Sequence, residues 1–362
     1  MRANKLSLAI RATAAVAVFG VAGQVQAFSF SAGDVDADLY GYARLNMSYD
    51  MDSNVADATQ SGGFPDASDN IDGHFGASAN QSRLGVRAKH ASGVTAQIEG
   101  DFYGGSLRIR HAYGSYKGVI AGQTWSNYSS FVGSTPTLDF SGLAGNAGFQ
   151  SRTAQLRYTT GALSFSIEDP KTTSIKHPTT GDELKRDSSP ALTARLEDKA
   201  GGLSYAVGAM VKQNTADDGN DDDSKTAFAV FGAAKVALSD MISIQGAINY
   251  TDGANGYLYR SGAKDDAEFV NGSLDNISGM GGLIGTSISL GNGRSVNIGY
   301  GTTIVEYEAG DLTNQNAFVN YMWTPVQNVM MGVEYGYYDT EDDRVSTSAD
   351  ANRIMFAAQY NF

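Results

Sequence analysis

LYGYARLNMSY, residues 39 to 49, puts Leu39, Gly41, Ala43, Leu45, Met47 and Tyr49 on one face and Tyr40, Tyr42, Arg44, Asn46 and Ser48 on the other. That is period two, the spacing of a β-strand with two unlike faces. The same alternation recurs in VTAQIEGDF (94–102), LSFSIE (163–168), LTARLE (192–197), LSYAVGAMVK (203–212), ISIQGAINY (242–250) and VNIGYGTTI (296–304). A soluble sandwich alternates too, so the connections between the strands carry the distinction.

ASG (91–93), TG (160–161), KAGG (199–202), LSD (238–240), GNG (291–293) and TPVQ (324–327) are short. The intervening connections, 51–79, 126–150, 170–189, 213–224, 252–275 and 339–350, are mostly long and polar. Regular short and long connections between strands of about ten residues describe a transmembrane antiparallel β-barrel with tight turns at one end and long loops at the other. The count on this basis is sixteen strands; eighteen stays open because 225–238 and 276–290 are rich in Gly and Ala and leave their registers ambiguous. The expected fold is thus all-β.

Composition agrees. The chain has 43 Gly, 19 Tyr and 16 Phe against 6 Pro, which suits strands and tight turns. It has no cysteine, so neither disulfides nor thiolate metal sites are available. The formal net charge of −13 excludes a nucleic-acid surface. The acids collect in DDGNDDD (217–223), KDDAE (264–268) and DTEDD (339–343), all between apolar segments.

Residues 1–27 read as a cleaved signal peptide, with Arg2, Lys5 and Arg11 ahead of an apolar run and Val25-Gln26-Ala27 at the cleavage site. The barrel is expected over residues 28–362. At the other end, IMFAAQYNF (354–362) places Ile354, Phe356, Ala358, Tyr360 and Phe362 on one face, and aromatic clusters such as EYGYYD (334–339) suit an interfacial girdle. An exported amphipathic barrel of this kind belongs in the outer membrane of a Gram-negative bacterium.

SLRIRHAYGSYKGVIAGQTWS (106–126) then becomes informative. With Leu107 and Ile109 on the lipid face, Arg108 and Arg110 face a lumen; the reverse would put two guanidinium groups in hydrocarbon. The same phase sends Arg44, Arg83, Arg87, Lys89 and Arg157 inward. Inward acids, Glu99 and Asp101, accompany them, and register about the ASG turn sets Asp101 opposite Arg83. The excess of cations reads as an anion-attracting wall. Its rival is a set of mutually paired charges that only stiffen the barrel.

SNYSSFVGSTPTLDFSGLAGNAGFQ (126–150) carries Phe131, Leu138, Phe140, Leu143 and Phe149 and a single charge, Asp139. Such an apolar connection is out of place in water and is expected to fold inward as a constriction loop, with Phe131, Pro136, Asp139 and Phe140 as its marker residues.

LRIRHAYGSYKGVIAGQTWSNY, followed by TPTLDFSG and SRTAQLRYTTG, resembles the DcaP-like family of Gram-negative outer-membrane porins. The resemblance is strong over about residues 36–165 and continues by pattern. It implies a homotrimer of sixteen-stranded barrels admitting small anionic solutes such as dicarboxylates, set in lipid and lipopolysaccharide. The family's basic lumen motif falls on Arg108 and Arg110, its Gln-Thr-Trp-Ser element on Gln123 to Ser126, and its constriction-loop element on Pro136 to Phe140. One departure stands: some members carry a heptad-rich helix before the barrel, whereas only FSFSAGDV separates the cleavage site from the first strand here.

A barrel enzyme needs His beside Ser or Asp, but His74, His90, His111 and His177 are scattered over both ends, and His111 reads as a wall residue at a bulge before Tyr113. No catalytic residue and no cofactor is expected. DDGNDDD and DNIDG (69–73) offer carboxylates for Ca²⁺ or Mg²⁺ that could bridge to lipopolysaccharide phosphate, yet neither has calcium-loop spacing. A general or cation-preferring porin, its ribbon neutralised by the inward acids, is the remaining alternative. Gly-rich ISGMGGLIGTSISLGNG (277–293) is read as strand and turn permitting close approach of strands or subunits.

Overall fold

The computed structural model describes residues 28–52, 56–66, 73–177, 180–217, 219, 222–270 and 273–362. The expected signal peptide, and parts of DNIDG and DDGNDDD, lie outside the described residues. Sixteen antiparallel strands close on themselves. They are β1 (Val35–Asp50), β2 (Arg83–His90), β3 (Thr95–Asp101), β4 (Arg108–Tyr116), β5 (Val119–Trp125), β6 (Arg152–Thr160), β7 (Leu163–Glu168) and β8 (Ala191–Ala200). There follow β9 (Leu203–Asp217), β10 (Asp222–Ala237), β11 (Ile242–Asp252), β12 (Ser278–Gly291), β13 (Arg294–Tyr307), β14 (Gly310–Val326), β15 (Val329–Asp342) and β16 (Thr347–Asn361).

Each strand pairs with the next, and β16 returns to pair with β1 from Tyr42↔Asn361 to Asp50↔Arg353. Closure leaves no sheet edge, so every strand has a hydrogen-bonding neighbour on both sides within hydrocarbon. Three short segments prolong the wall: Phe28–Ala32 pairs with the start of β1, His74–Ser78 with its end, and Lys185–Arg186 with β9.

The alternation has the sense of a membrane protein, apolar outward. Ile98, Leu107, Ile109, Val207, Ile248 and Ile284 are all exposed on the outer surface, Ile248 at 73%. Asn46, Asp101, Glu168 and Asn316 on the opposite phase are buried. The apolar surface that a soluble sandwich would hide is displayed, and the polar surface is enclosed.

Two features differ from the sequence reading. Acidic runs assigned to the connections 213–224 and 339–350 are largely strand, since β9 and β10 extend to Asp217 and from Asp222, and β15 and β16 to Asp342 and from Thr347. Alternation does not stop where hydrophobicity stops; the ladder continues past the lipid into water. Connection 252–275 is likewise not a freely solvated loop: Tyr257, Leu258, Phe269 and Leu274 are buried. The barrel is consequently lopsided. Strands β2 to β7 are 6–9 residues long, whereas β9, β10 and β12 to β16 have 14–17.

At the closing seam, Arg353 Nε donates to Asp50 Oδ1 at 2.5 Å and Nη2 to Oδ2 at 3.0 Å, with both side chains fully enclosed. Removing one partner leaves a buried charge alone, at a cost of about 3–5 kcal/mol. Arg353→Ala should therefore lower the temperature at which the purified barrel loses its compact mobility on gels, more than removal of the exposed pair Lys225–Asp275 does.

Candidate functional site

The candidate site is the inner face, beginning at the arginine ribbon. Opposite β4, β3 carries one residue fewer: Glu99 faces His111 and Gly100 faces Ile109, so Arg110 is the extra residue of a β-bulge. The bulge lets Arg110 and His111 both turn inward and restores alternation at Tyr113. His111 is buried and lies 3.0 Å from Thr124 Oγ1, in a wall position.

Arg108 clasps both oxygens of Asp101, Nε to Oδ1 at 2.6 Å and Nη2 to Oδ2 at 3.2 Å, and Arg110 Nη1 donates to the same Oδ2 at 2.5 Å. Arg110 Nε also lies 3.4 Å from Glu99, which pairs with Arg83 at 3.3 Å. Three guanidinium groups thus share two carboxylates. Their faces are covered by rings: Arg108 over Tyr103, Arg83 over Tyr42, and Arg110 5.4 Å from the centroid of Phe140. Asp101 does face Arg83 in register, but its side chain goes to Arg108 and Arg110.

The other inward cations are placed differently. Arg87 stacks on Tyr40 at 4.1 Å, and Lys89 is exposed at the short-turn end. Arg157 donates to Gln155 at 2.8 Å and to the carbonyl of Trp125. Arg44 is buried, its guanidinium taken by Asn46, Gln359 and the carbonyl of Leu138. It holds a loop and does not present its charge to the lumen.

That loop is segment 126–150, which lies against inward-facing side chains of the long strands. Glu334 of β15 accepts from the backbone N–H groups of Leu138 at 2.7 Å and Asp139 at 2.8 Å. Asn316 and Asn320 of β14 and Asn249 of β11 bond backbone atoms of Ala144, Pro136, Gly145 and Gly148. Asp139, itself buried, accepts from Gly62 N–H at 2.7 Å and Tyr338 O–H at 2.7 Å. Phe131 packs edge-on against Trp125, Pro136 offers its carbonyl to Asn320, and Phe140 lies 4.9 Å from Tyr103.

The loop can lie this close because the wall beneath it lacks side chains. A Cβ on Gly301 would sit 2.2 Å from the Ala144 carbonyl oxygen, and one on Gly332 2.9 Å from Leu138. These anchors were not singled out from the sequence. The signal available was inward-phase glycine beside inward-phase amides on β13 to β15, a combination useless for lining water but suited to receiving backbone. The Gly-rich stretch 277–293 belongs to the same seat: a Cβ on Gly285 would collide with Thr135.

Among the described residues no three acidic or histidine side chains come together to hold a metal ion. In the connection between β11 and β12, burial pushes the Asp265 carboxyl above its ordinary value.

A closed barrel with an apolar exterior and a polar, charged interior partly occupied by its own loop is an outer-membrane channel. The chain belongs to the DcaP outer membrane protein family, whose model matches residues 24–362. It is similar to the crystal structure of the outer membrane channel DcaP of Acinetobacter baumannii, with 26% identity, a TM-score of 0.79, and coverage of 92% of this chain and 99% of that one. The anion-selective porin from Comamonas acidovorans shares the fold at 14% identity and a TM-score of 0.61, covering 91% of this chain and 100% of that one. Salmonella typhi OmpF, solved with daunomycin, does so at 15% and 0.56, covering 92% and 100%. No curated sequence matches. The family and the DcaP structure are those of an outer-membrane channel rather than an enzyme, and they place the protein in the Gram-negative outer membrane.

Gly301→Val would drive a branched side chain into the Ala144 carbonyl. The expected outcome is a displaced loop and a larger single-channel conductance in planar bilayers; conductance equal to wild type would mean that the loop does not narrow the passage.

Proposed function

We propose that this porin passes small anionic solutes, dicarboxylates being the class the family resemblance favours, through a lumen narrowed by segment 126–150. The observation that carries the reading is the cluster of Arg83, Arg108 and Arg110 around only Glu99 and Asp101, which leaves one guanidinium in excess beneath the loop's Phe140. In a confined space with low-dielectric walls that excess raises the local concentration of anions. Arg87 and Arg157, with no carboxylate within 4 Å among the described residues, add to it. Arg108, 44% exposed in its side chain, is the member of the cluster best placed to meet solute.

Assembly as a homotrimer is part of the proposal. Four of the six strands β2 to β7 have 6–8 residues, short of the roughly 9–11 needed to cross hydrocarbon at a tilt. The outward Leu84, Ile98, Leu156 and Phe165 of β2 to β7 call for cover from a second copy. Vibrio cholerae OmpT, which shares the fold, has been solved in a trimer form. Lipopolysaccharide around the outer rim completes the proposed surroundings.

A second reading, a weakly selective pore, is favoured by the engagement of both Arg108 and Arg110 with Asp101. Reversal potential under a KCl gradient, then with succinate, separates the two. The anion reading expects anion preference in the wild type and its loss or reversal in Arg108→Ala/Arg110→Ala, where Glu99 and Asp101 retain only Arg83. Unchanged selectivity in a folded double variant would remove the ribbon from the mechanism. A wild type without preference that becomes anion-selective in Glu99→Gln/Asp101→Asn would establish the second reading.

A further inference from the structure

The loop joining β11 to β12 carries an arginine that the charge pattern did not single out. Arg260 is held at φ 62°, in the left-handed region, which a non-glycine residue keeps only when its surroundings fix it. Its side chain is 8% exposed. Nη1 donates to the Gly142 carbonyl at 2.5 Å and Nη2 to the Gly62 carbonyl at 2.6 Å. Asp139 lies 3.6 Å away, and the guanidinium rests beside the rings of Phe64 at 4.8 Å and Tyr338 at 5.7 Å.

The backbone carrying Arg260 is itself fastened at both ends of the contact. Towards the wall, Asn314 donates to the Ser261 carbonyl at 2.9 Å and Thr303 to that of Arg260 at 3.4 Å. Towards the inward loop, Gly145 N–H reaches the Tyr259 carbonyl at 3.0 Å and the Tyr259 hydroxyl donates to the Ser141 carbonyl at 2.7 Å. Glu334 and Arg44 hold the same loop tip from the barrel wall. Arg260 holds it from another long connection, and joins it to a third, residues 56–66.

We infer that Arg260 is the latch of the channel: a positioning residue that ties the three connections together and keeps the tip of segment 126–150 docked, so that its release opens the passage without breaking the barrel. The planar fork suits this role, because one guanidinium satisfies two carbonyls from separate segments while it packs beside two aromatic rings. An ammonium group at the same place could serve one carbonyl at a time. The effect on conductance rests on the reading that segment 126–150 narrows the lumen; the docking itself does not.

The test uses the full chain, purified as folded barrels. Arg260→Gly removes the guanidinium while glycine accepts the positive φ without strain. Arg260→Lys keeps the charge and loses the fork, and Lys225→Ala, in an exposed pair with Asp275 of the connection that carries Arg260, is the control. The first readout is cleavage within residues 131–149 by added chymotrypsin, whose rate follows the undocked population when undocking is fast. Arg260→Gly should be cut at least about tenfold faster, as expected from losing two charged hydrogen bonds, with Arg260→Lys in between and Lys225→Ala like the wild type. The second readout, single-channel recording, should show frequent excursions to a higher level in Arg260→Gly. Wild-type cleavage in a folded Arg260→Gly barrel would overturn the latch, as would failure of that variant to fold, which would make Arg260 a folding element. Faster cleavage with unchanged conductance would keep the latch and sink the constriction.

Discussion

The closure of β16 on β1 governs everything else in this molecule. Inside hydrocarbon an unpaired N–H or C=O group costs several kcal/mol, roughly the net stability of a small domain for a handful of them. A ring of strands meets that demand only if the last strand finds the first, and here nine consecutive register pairs, with the buried Asp50–Arg353 ion pair at their end, do so. Once the ring is closed, side chains have two destinations. Leu107 and Ile109 must meet lipid, and Arg108 and Arg110 must then occupy the interior.

An interior of this kind creates a second problem, because polar side chains lining a wide space would bond only water. The long strands solve it with glycine and asparagine on the inward phase. Gly301 and Gly332 remove side-chain bulk, and Asn316, Asn320 and Glu334 supply bonding partners for the backbone of a loop that lies against them. The short strands keep large charged side chains on the same phase and receive no loop backbone of comparable extent. Low wall and tall wall therefore divide the work, one carrying charge and the other carrying the loop, with Phe140 reaching across to the guanidinium groups.

The arginine cluster shows why counting charges on a face is only the first step. Seven inward cations look like an electropositive wall, yet Asp101 alone occupies two of them, and Arg44 is used to hold a carbonyl. What the proposed anion preference rests on is the difference between a dense set of cations and a dense set of acids, and in a low-dielectric lumen a difference of one charge is still large. The bulge at Arg110 matters for the same reason. By adding a residue to β4 it lets the neighbouring Arg110 and His111 both face inward, which counting by strict alternation would not allow.

Strand content, inward and outward phase, the terminal strand and the bulge near His111 were legible in the sequence, because each depends on neighbours a few residues apart and on the single rule that lipid excludes charge. Phe131, Leu138 and Phe140 likewise marked their loop as unsuited to water. The partners of that loop were not legible. Leu138 and Glu334 are separated by 196 positions, Arg260 and Gly62 by 198, and nothing in period two says which inward residue of one strand will meet a distant connection. The extension of β9, β10, β15 and β16 through acidic runs escaped for a related reason: beyond the lipid, a ladder persists on backbone pairing alone, with no hydrophobic alternation to announce it. Local chemistry decided which way each side chain faces; only the closed barrel, by bringing remote chain segments into one enclosed space, decided what it meets there.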